Sequence, residues 1–317
     1  MGGHILEVYI AGDIAAKYGE IYREKGKERR MGDGRQIVDI HSKLYPEQLR
    51  EIAKPPKKLY CSGRLELLSR KCVSVVGSRR YSLYGKQTAL MIGRHLGRTE
   101  LVTVSGLASG IDTFAHTGAL ESNGDTIAVL GTGMNQIYPK KNRDLQHQIE
   151  SCGLVISEYE DEFRGNRYSF PARNRIISGL SRCVVVVEAG VSSGALITAQ
   201  YAGEQGRIVY AVPGNINSQF SLGTNLLIRD GAVPLVVIDD LMRDMGIEKP
   251  KEVEQEKESL GGDEKQMLEV IAQNDGVHVN EIAHILNKNI GKVSAIITVL
   301  EIKGWVVSAA GKIHLAK

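Results

Sequence analysis

Between Lys71 and Asp240 the apolar positions fall into short β-branched runs separated by stretches with helical spacing. The runs CVSVVG, LVTVSG, TIAVLG, GLVISE, RCVVVVEAG, RIVYAVPG and AVPLVVI each close near a glycine, an acid or a proline, and several lack any polar alternation. Continuous apolar strands are what a parallel sheet needs when helices cover both of its faces. Residues 84–98 and 193–204 have the length and composition of such helices. The pattern predicts a doubly wound α/β domain with a mostly parallel sheet, whose ligands gather at the carboxyl ends of the strands.

The pattern then changes. Residues 246–262 carry many charges and few apolar anchors, the composition of a flexible tether. After it, Met267, Leu268 and Ile271 recur at helical spacing, residues 279–287 and 290–303 continue that period, and residues 304–315 read as a short hairpin around Ala310 and Gly311. Three helices and a two-stranded wing predict a small C-terminal winged-helix domain. The expected division is a basic N-terminal segment over 1–64, the α/β domain over 65–245, the linker over 246–262 and the winged helix over 263–317.

With 42% apolar and 24% charged residues, 35 glycines and 8 prolines among 317 residues, the chain is neither a disordered polyelectrolyte nor a collagen. No uncharged apolar run approaches the roughly 20 residues of a membrane-spanning helix, so a soluble cytoplasmic protein is expected. Cys61, Cys72, Cys152 and Cys183 are far apart and form no CxxC pair, which argues for buried reduced thiols rather than a zinc or redox site. Net charge is only +3, but residues 17–64 hold 13 Lys/Arg against 7 Asp/Glu, whereas residues 71–240 hold 16 against 15. A basic arm can meet phosphates or simply be solvated, and both readings stay open. The winged helix is neutral, with 6 acids and 6 lysines, and so predicts weak nucleic-acid contact or protein docking rather than a tight grip on duplex DNA.

Candidate chemistry sits in the loops that follow the strands. Gly77, Ser78 and Arg79, in VSVVGSRRYSLYG, form a strand, a tight turn and a helix start, where free N–H groups and a guanidinium favour a phosphate. The motif GxGxxG is absent, so a dinucleotide cofactor is not expected, nor any other cofactor or metal. A second turn, SGLASGID, supplies Ser105, Gly106 and Gly110, with Asp112 orienting the loop; a third, YPKKN, adds Lys140, Lys141 and Asn142. In FPARNRIISGLS, Arg173, Asn174 and Arg175 stand together behind Phe170, and Ser193 with Gly194 opens a further glycine-flanked helix. Either arginine taken singly also fits a structural tie between loops. Tyr81, Tyr84, Tyr138 and Phe170 fit base stacking and ordinary packing equally well. Glu188 follows a buried strand without a nucleophile or metal cluster beside it, and reads as structural or ligand-orienting.

On these motifs, from YPEQL and PPKKLYCSG through GSRRYSLYG, SGLASGID, YPKKN, FPARNRIISGLS, SGALITA and VPG, the chain resembles the DprA (Smf) family of bacterial natural transformation. The resemblance covers about four fifths of the chain. It implies an extended Rossmann-like fold that binds single-stranded DNA, commonly as a homodimer, and helps load the recombinase RecA onto strands coated by single-strand binding protein. It also implies an anionic-ligand pocket at Gly77, Ser78, Arg79, Ser105, Gly106, Gly110, Lys140, Arg173, Asn174 and Arg175. Residues 1–42 depart from the N-terminal module usual in that family. Two rival readings remain. Related nucleotide phosphoribohydrolases of the LOG type use a PGGxGT loop, for which this chain has Pro213-Gly214-Asn215 and a separate Gly223-Thr224. The other rival is an adaptor that binds a free nucleotide.

Overall fold

The structure, a computed structural model, describes residues 35–247, 261–274, 276–302, 305–309 and 311–315. Residues 248–260 of the expected linker and residues 1–34 of the basic segment lie outside the described residues.

Strand β3 (Cys72–Val76) lies in the interior of a nine-stranded sheet. To one side lie β4 (Val102–Ser105), β5 (Thr126–Leu130) and β6 (Leu154–Ser157), all parallel to it; to the other lie β7 (Cys183–Val186), β8 (Ile208–Ala211) and the two-residue β9 (Val233–Pro234), also parallel. The seven runs read from the sequence are these seven strands. Counted from β3 in chain order, the parallel strands β6-β5-β4-β3-β7-β8-β9 run 4-3-2-1-5-6-7, a Rossmann-like order extended by β6, and the order reverses between β3 and β7.

Beyond β6 the sheet continues with β2 (Lys58–Gly63), antiparallel to β6, and then β1 (Gln36–Asp39). Both strands precede residue 65, where the α/β domain was expected to begin, so the sheet reaches into the segment read as a basic arm. On β2 the charged Lys58 is exposed, while Leu59 and Cys61 are buried against the sheet core.

The strands are apolar throughout because both faces are covered. On β3, Val73 and Val75 pack with Ile92 and Leu96 of α2 (Leu83–Gly97) and Ala115 of α3 (Ile111–Glu121), whereas Cys72 and Val76 face Ile176 and Ile177 of α5 (Ser169–Leu180). Fully burying one such Val, Leu or Ile contributes about 1.5–3 kcal/mol, so this double-sided core fixes the strand ends that carry the loops. The remaining elements of this domain are α1 (Glu47–Arg50), α4 (Arg143–Cys152), α6 (Gly194–Glu204), α7 (Leu222–Arg229) and α8 (Ile238–Asp244).

The C-terminal module has its own core. Helices α9 (Gly262–Gln273), α10 (Val279–Ile285) and α11 (Ile290–Ile302) bury Met267, Ile271, Ile282, Val293 and Leu300, and β10 (Val306–Ala309) pairs antiparallel with β11 (Lys312–Leu315) as the wing. Cys61, Cys72 and Cys183 are buried, Cys152 is half-buried and all four are free. Burial pushes the first three thiols up to about 12, which keeps them unreactive. Among the described residues no helix is long and apolar enough to cross a membrane.

Candidate nucleic-acid interface

Where the strand order reverses, the connections after β3 and β7 lead to opposite faces and leave a crevice between them. Here it is a cavity of about 760 Å³, walled by residues 76–80 after β3, residues 190–195 after β7, the start of α5, Tyr138, Gln219 and Phe220. Of the residues expected to hold an anion, Gly77, Ser78, Arg79, Arg173 and Asn174 line it, together with Asp112, Phe170, Ser193 and Gly194.

Several backbone N–H groups at this wall already have partners within the protein. The Ser78 N–H donates to the carbonyl of Glu188 at 2.8 Å, and the Arg80 N–H donates to Ser78 Oγ at 3.2 Å. Ser82, the N-cap of α2, gives its N–H and its hydroxyl to the Glu188 carboxylate, at 2.9 and 2.5 Å. Glu188 is 1% exposed, and a Cβ on Gly85 would lie 2.0 Å from its Oε2. The helix start that the sequence offered to a phosphate is thus filled by the protein's own carboxylate. Glu188 holds the loop, as its structural reading had it.

Asp112 does the same for the second loop. Its carboxylate accepts from the N–H of Gly106 at 3.1 Å and of Ala108 at 3.4 Å. Burial pushes this carboxyl above the usual carboxylate range, opposed by Arg173 and by the N–H groups of Ala108, Gly77 and Gly106. Ser105 donates its hydroxyl to the Val75 carbonyl at 2.6 Å, and Asn142 donates its amide to the Leu107 carbonyl at 2.9 Å and to Thr113 Oγ1 at 2.9 Å. Ser105, Gly106, Gly110 and Asn142 therefore frame the cavity without lining it. Lys140 is exposed on a short 3-10 turn and is not part of the wall.

Arg173 is only 4% exposed: its Nη1 donates to the carbonyls of Gly106, at 2.7 Å, and of Val129. Burial lowers this guanidinium to about 10, so it stays charged at neutral pH while acting as a tie between strand ends. Arg175 is not brought to the cavity. It donates to the Lys54 carbonyl at 2.8 Å and the Ala172 carbonyl at 3.0 Å, and pairs with Glu158 at 2.6 Å. Residues two apart on a helix point about 200° apart, so Arg173 and Arg175 cannot share one pocket. Asn174 spends its amide donor on the Gly194 carbonyl at 3.2 Å, joining α5 to the start of α6.

The exposed cations of the wall are Arg79, Arg80 and Arg167, and none has a carboxylate partner among the described residues. Arg79 stands 5.8 Å above the Phe170 ring, whose other neighbour is Tyr138 at 5.0 Å. Arg80 and Arg167 were not singled out from the sequence. Arg80 adjoins Arg79 in GSRRYS, and Arg167 lies three residues ahead of FPARNR on the loop entering α5, a position that could have marked it.

A strand-order crevice with arginines and aromatic rings in place of a glycine fingerprint, accompanied by a winged helix, defines a Rossmann-like protein with a C-terminal winged-helix module. The family model described as DNA recombination-mediator protein A matches residues 36–246, and the one described as DprA winged helix domain matches residues 249–312. DNA processing protein DprA of Streptococcus pneumoniae is 48% identical over 188 residues, which is 59% of this chain and 66% of that protein, so the chain spans just under two thirds of its relative's length. An X-ray structure of DprA from Streptococcus pneumoniae superposes with a TM-score of 0.64 at 44% identity, covering 67% of this chain and 74% of that one. A structure of DNA processing protein A from Helicobacter pylori, described for its single-stranded DNA binding mode, superposes with a TM-score of 0.61 at 32% identity, covering 67% of this chain and 95% of that one. The chain belongs to the DNA recombination-mediator protein A (DprA/Smf) family.

Proposed function

We propose that this chain binds single-stranded DNA in the crevice between β3 and β7 and acts as a recombination mediator. The observation that carries the reading is the set of exposed, carboxylate-free Arg79, Arg80 and Arg167 beside the Phe170–Tyr138 rings around one cavity. Arginines hold phosphates while rings receive bases, a combination that tracks an unpaired strand with little sequence preference. In a duplex the bases are stacked inward, and turning one out costs a few kcal/mol, which supplies strand selectivity. The Helicobacter pylori relative, described for its single-stranded DNA binding mode, supports the same ligand here.

The mechanism is binding without bond cleavage. The carboxylates nearest the loops, Asp112 and Glu188, are spent on backbone N–H groups, which disfavours the phosphoribohydrolase reading. In this account the domain reaching from the first strand to about residue 245 carries the DNA, Lys140 flanks its path, and the winged helix is a separate module. On the same reading, supported by its family membership alone, the chain acts in the cytoplasm as a homodimer that protects incoming strands and delivers RecA onto strands coated by single-strand binding protein. Fluorescence anisotropy with single-stranded and duplex oligonucleotides of equal length tests the ligand. The single strand should bind and resist competition by the duplex and by mononucleotides, whereas equal binding of the duplex contradicts the reading.

A further inference from the structure

Arg167 and Tyr168 sit at the rim of the crevice, just ahead of α5, on a backbone that is unusually well held. Asn166 Oδ1 accepts from the N–H of Tyr168 at 2.9 Å and of Ser169 at 3.0 Å, Ser169 Oγ accepts from the Asn166 N–H at 3.0 Å, and the Ser169 hydroxyl donates to the Gly131 carbonyl at 2.7 Å. The Tyr168 carbonyl takes the first-turn bond from the Ala172 N–H at 3.0 Å. The side chains above this pinned turn go to solvent: Tyr168 is 66% exposed and Arg167 is exposed. They stack on each other, with the Arg167 guanidinium carbon 4.7 Å from the Tyr168 ring centroid and its Nη2 bonded to the phenolic oxygen. Arg167 also forms part of the crevice wall, so the stacked pair continues that wall outward.

A large ring held out in water on a turn fixed by side-chain hydrogen bonds is not explained by packing. Its order is already established before a ligand arrives, so a planar partner gains the stacking without the entropy of arranging the loop. Resting on the reading of the crevice as a single-strand site, we infer that Arg167 and Tyr168 form a stacking shelf for the first base outside the crevice, with Arg167 meeting the phosphate that links the inner and outer nucleotides. The ligand class of this subsite is an unpaired nucleotide that is covalently continuous with the strand in the crevice. A free mononucleotide lacks that tether and does not occupy the shelf appreciably.

The test is a length ladder of oligothymidylates, from the dinucleotide upward, titrated by anisotropy against the full chain and its Tyr168→Ala, Tyr168→Phe, Arg167→Ala and Arg79→Ala variants. Tyr168→Ala should bind the shortest ligands like the wild type and lose about tenfold in affinity once the strand is long enough to leave the crevice. Tyr168→Phe should keep the wild-type length dependence, because stacking uses the ring face and not the hydroxyl. Arg167→Ala should weaken the longer ligands and flatten their salt dependence. Wild-type binding of every length by Tyr168→Ala overturns the shelf, as does a Tyr168→Phe variant as weak as the alanine. If Arg79→Ala loses binding in the same titration, only the shelf has failed; if Arg79→Ala also binds like the wild type, the crevice reading fails with it.

Discussion

Burial divides the arginines around the crevice into two jobs. Arg79, Arg80 and Arg167 are exposed, whereas Arg173 and Arg175 are tied to carbonyls and, for Arg175, to Glu158. All stand in motifs the sequence singles out or adjoins, and residue type alone does not separate them. The helical spacing of Arg173 and Arg175 does, because a two-residue step sends them to different sides of α5. Next to Arg173, the core holds His116, whose Nδ1 lies 2.7 Å from Thr126 Oγ1; that hydroxyl donates to the Thr103 carbonyl at 2.8 Å, so Nδ1 carries the hydrogen. Burial, with Arg173 adding to it, lowers this imidazole from 6.5 to about 3. Below pH 6.5 the unfolded chain takes up a proton that the folded core refuses. Stability is therefore full above pH 6.5 and lost as pH falls toward 3, by at most about 1.4 kcal/mol per pH unit from this group. In urea unfolding across that range, His116→Asn, which retains a donor toward Thr126, should show a shallower fall than the wild type; identical slopes contradict the assignment.

At the scale of elements, the strand ends were legible and the loop chemistry was not. Seven apolar runs gave seven strands, since continuous β-branched segments between turn residues have few other fates, and the 3.6-residue period placed the winged-helix elements to within a few residues. β1 and β2 were less visible because they are additions beyond the parallel strands, β1 at the edge and β2 antiparallel to β6 with charged and small residues in its run. That Glu188 accepts from Ser82 at the start of α2 was not legible, because the two residues lie more than a hundred positions apart in sequence. The loops depend on each other: Gly110 adopts φ +93°, and a Cβ there would lie 2.4 Å from the Ser78 carbonyl oxygen and 2.9 Å from Arg79 Cα. Gly110→Ala should cost about 1–3 kcal/mol and displace the Arg79 loop, weakening single-strand binding as well. Gly203→Ala, on the exposed face of α6 with nothing within 4 Å, should instead stabilise by roughly 0.5–1 kcal/mol and leave binding unchanged. Thermal melts and anisotropy on the pair check both expectations.

At the scale of the whole molecule, charge separates the two modules. In the crevice the exposed cations have no carboxylate partner among the described residues and the lining acid, Asp112, is spent on backbone N–H groups, whereas in the winged helix Asp263 binds Lys288 and Lys292, each at 2.6 Å, and these two lysines hold its carboxyl down to about 2. Lys292 is the basic residue of the helix that would enter a DNA groove, and its pairing with Asp263 is compatible with both roles left open by the neutral sequence, weak nucleic-acid contact and protein docking. The account thus concentrates strand binding in the crevice, and one measurement addresses that directly: the salt dependence of single-strand affinity for the wild type, Arg79→Ala and Arg175→Ala. Arg79→Ala should bind more weakly and lose about 0.7 from the log-log slope for the phosphate contact removed, while Arg175→Ala should melt earlier but keep the wild-type slope. An Arg79→Ala titration that superposes on the wild type at every salt concentration would contradict the account.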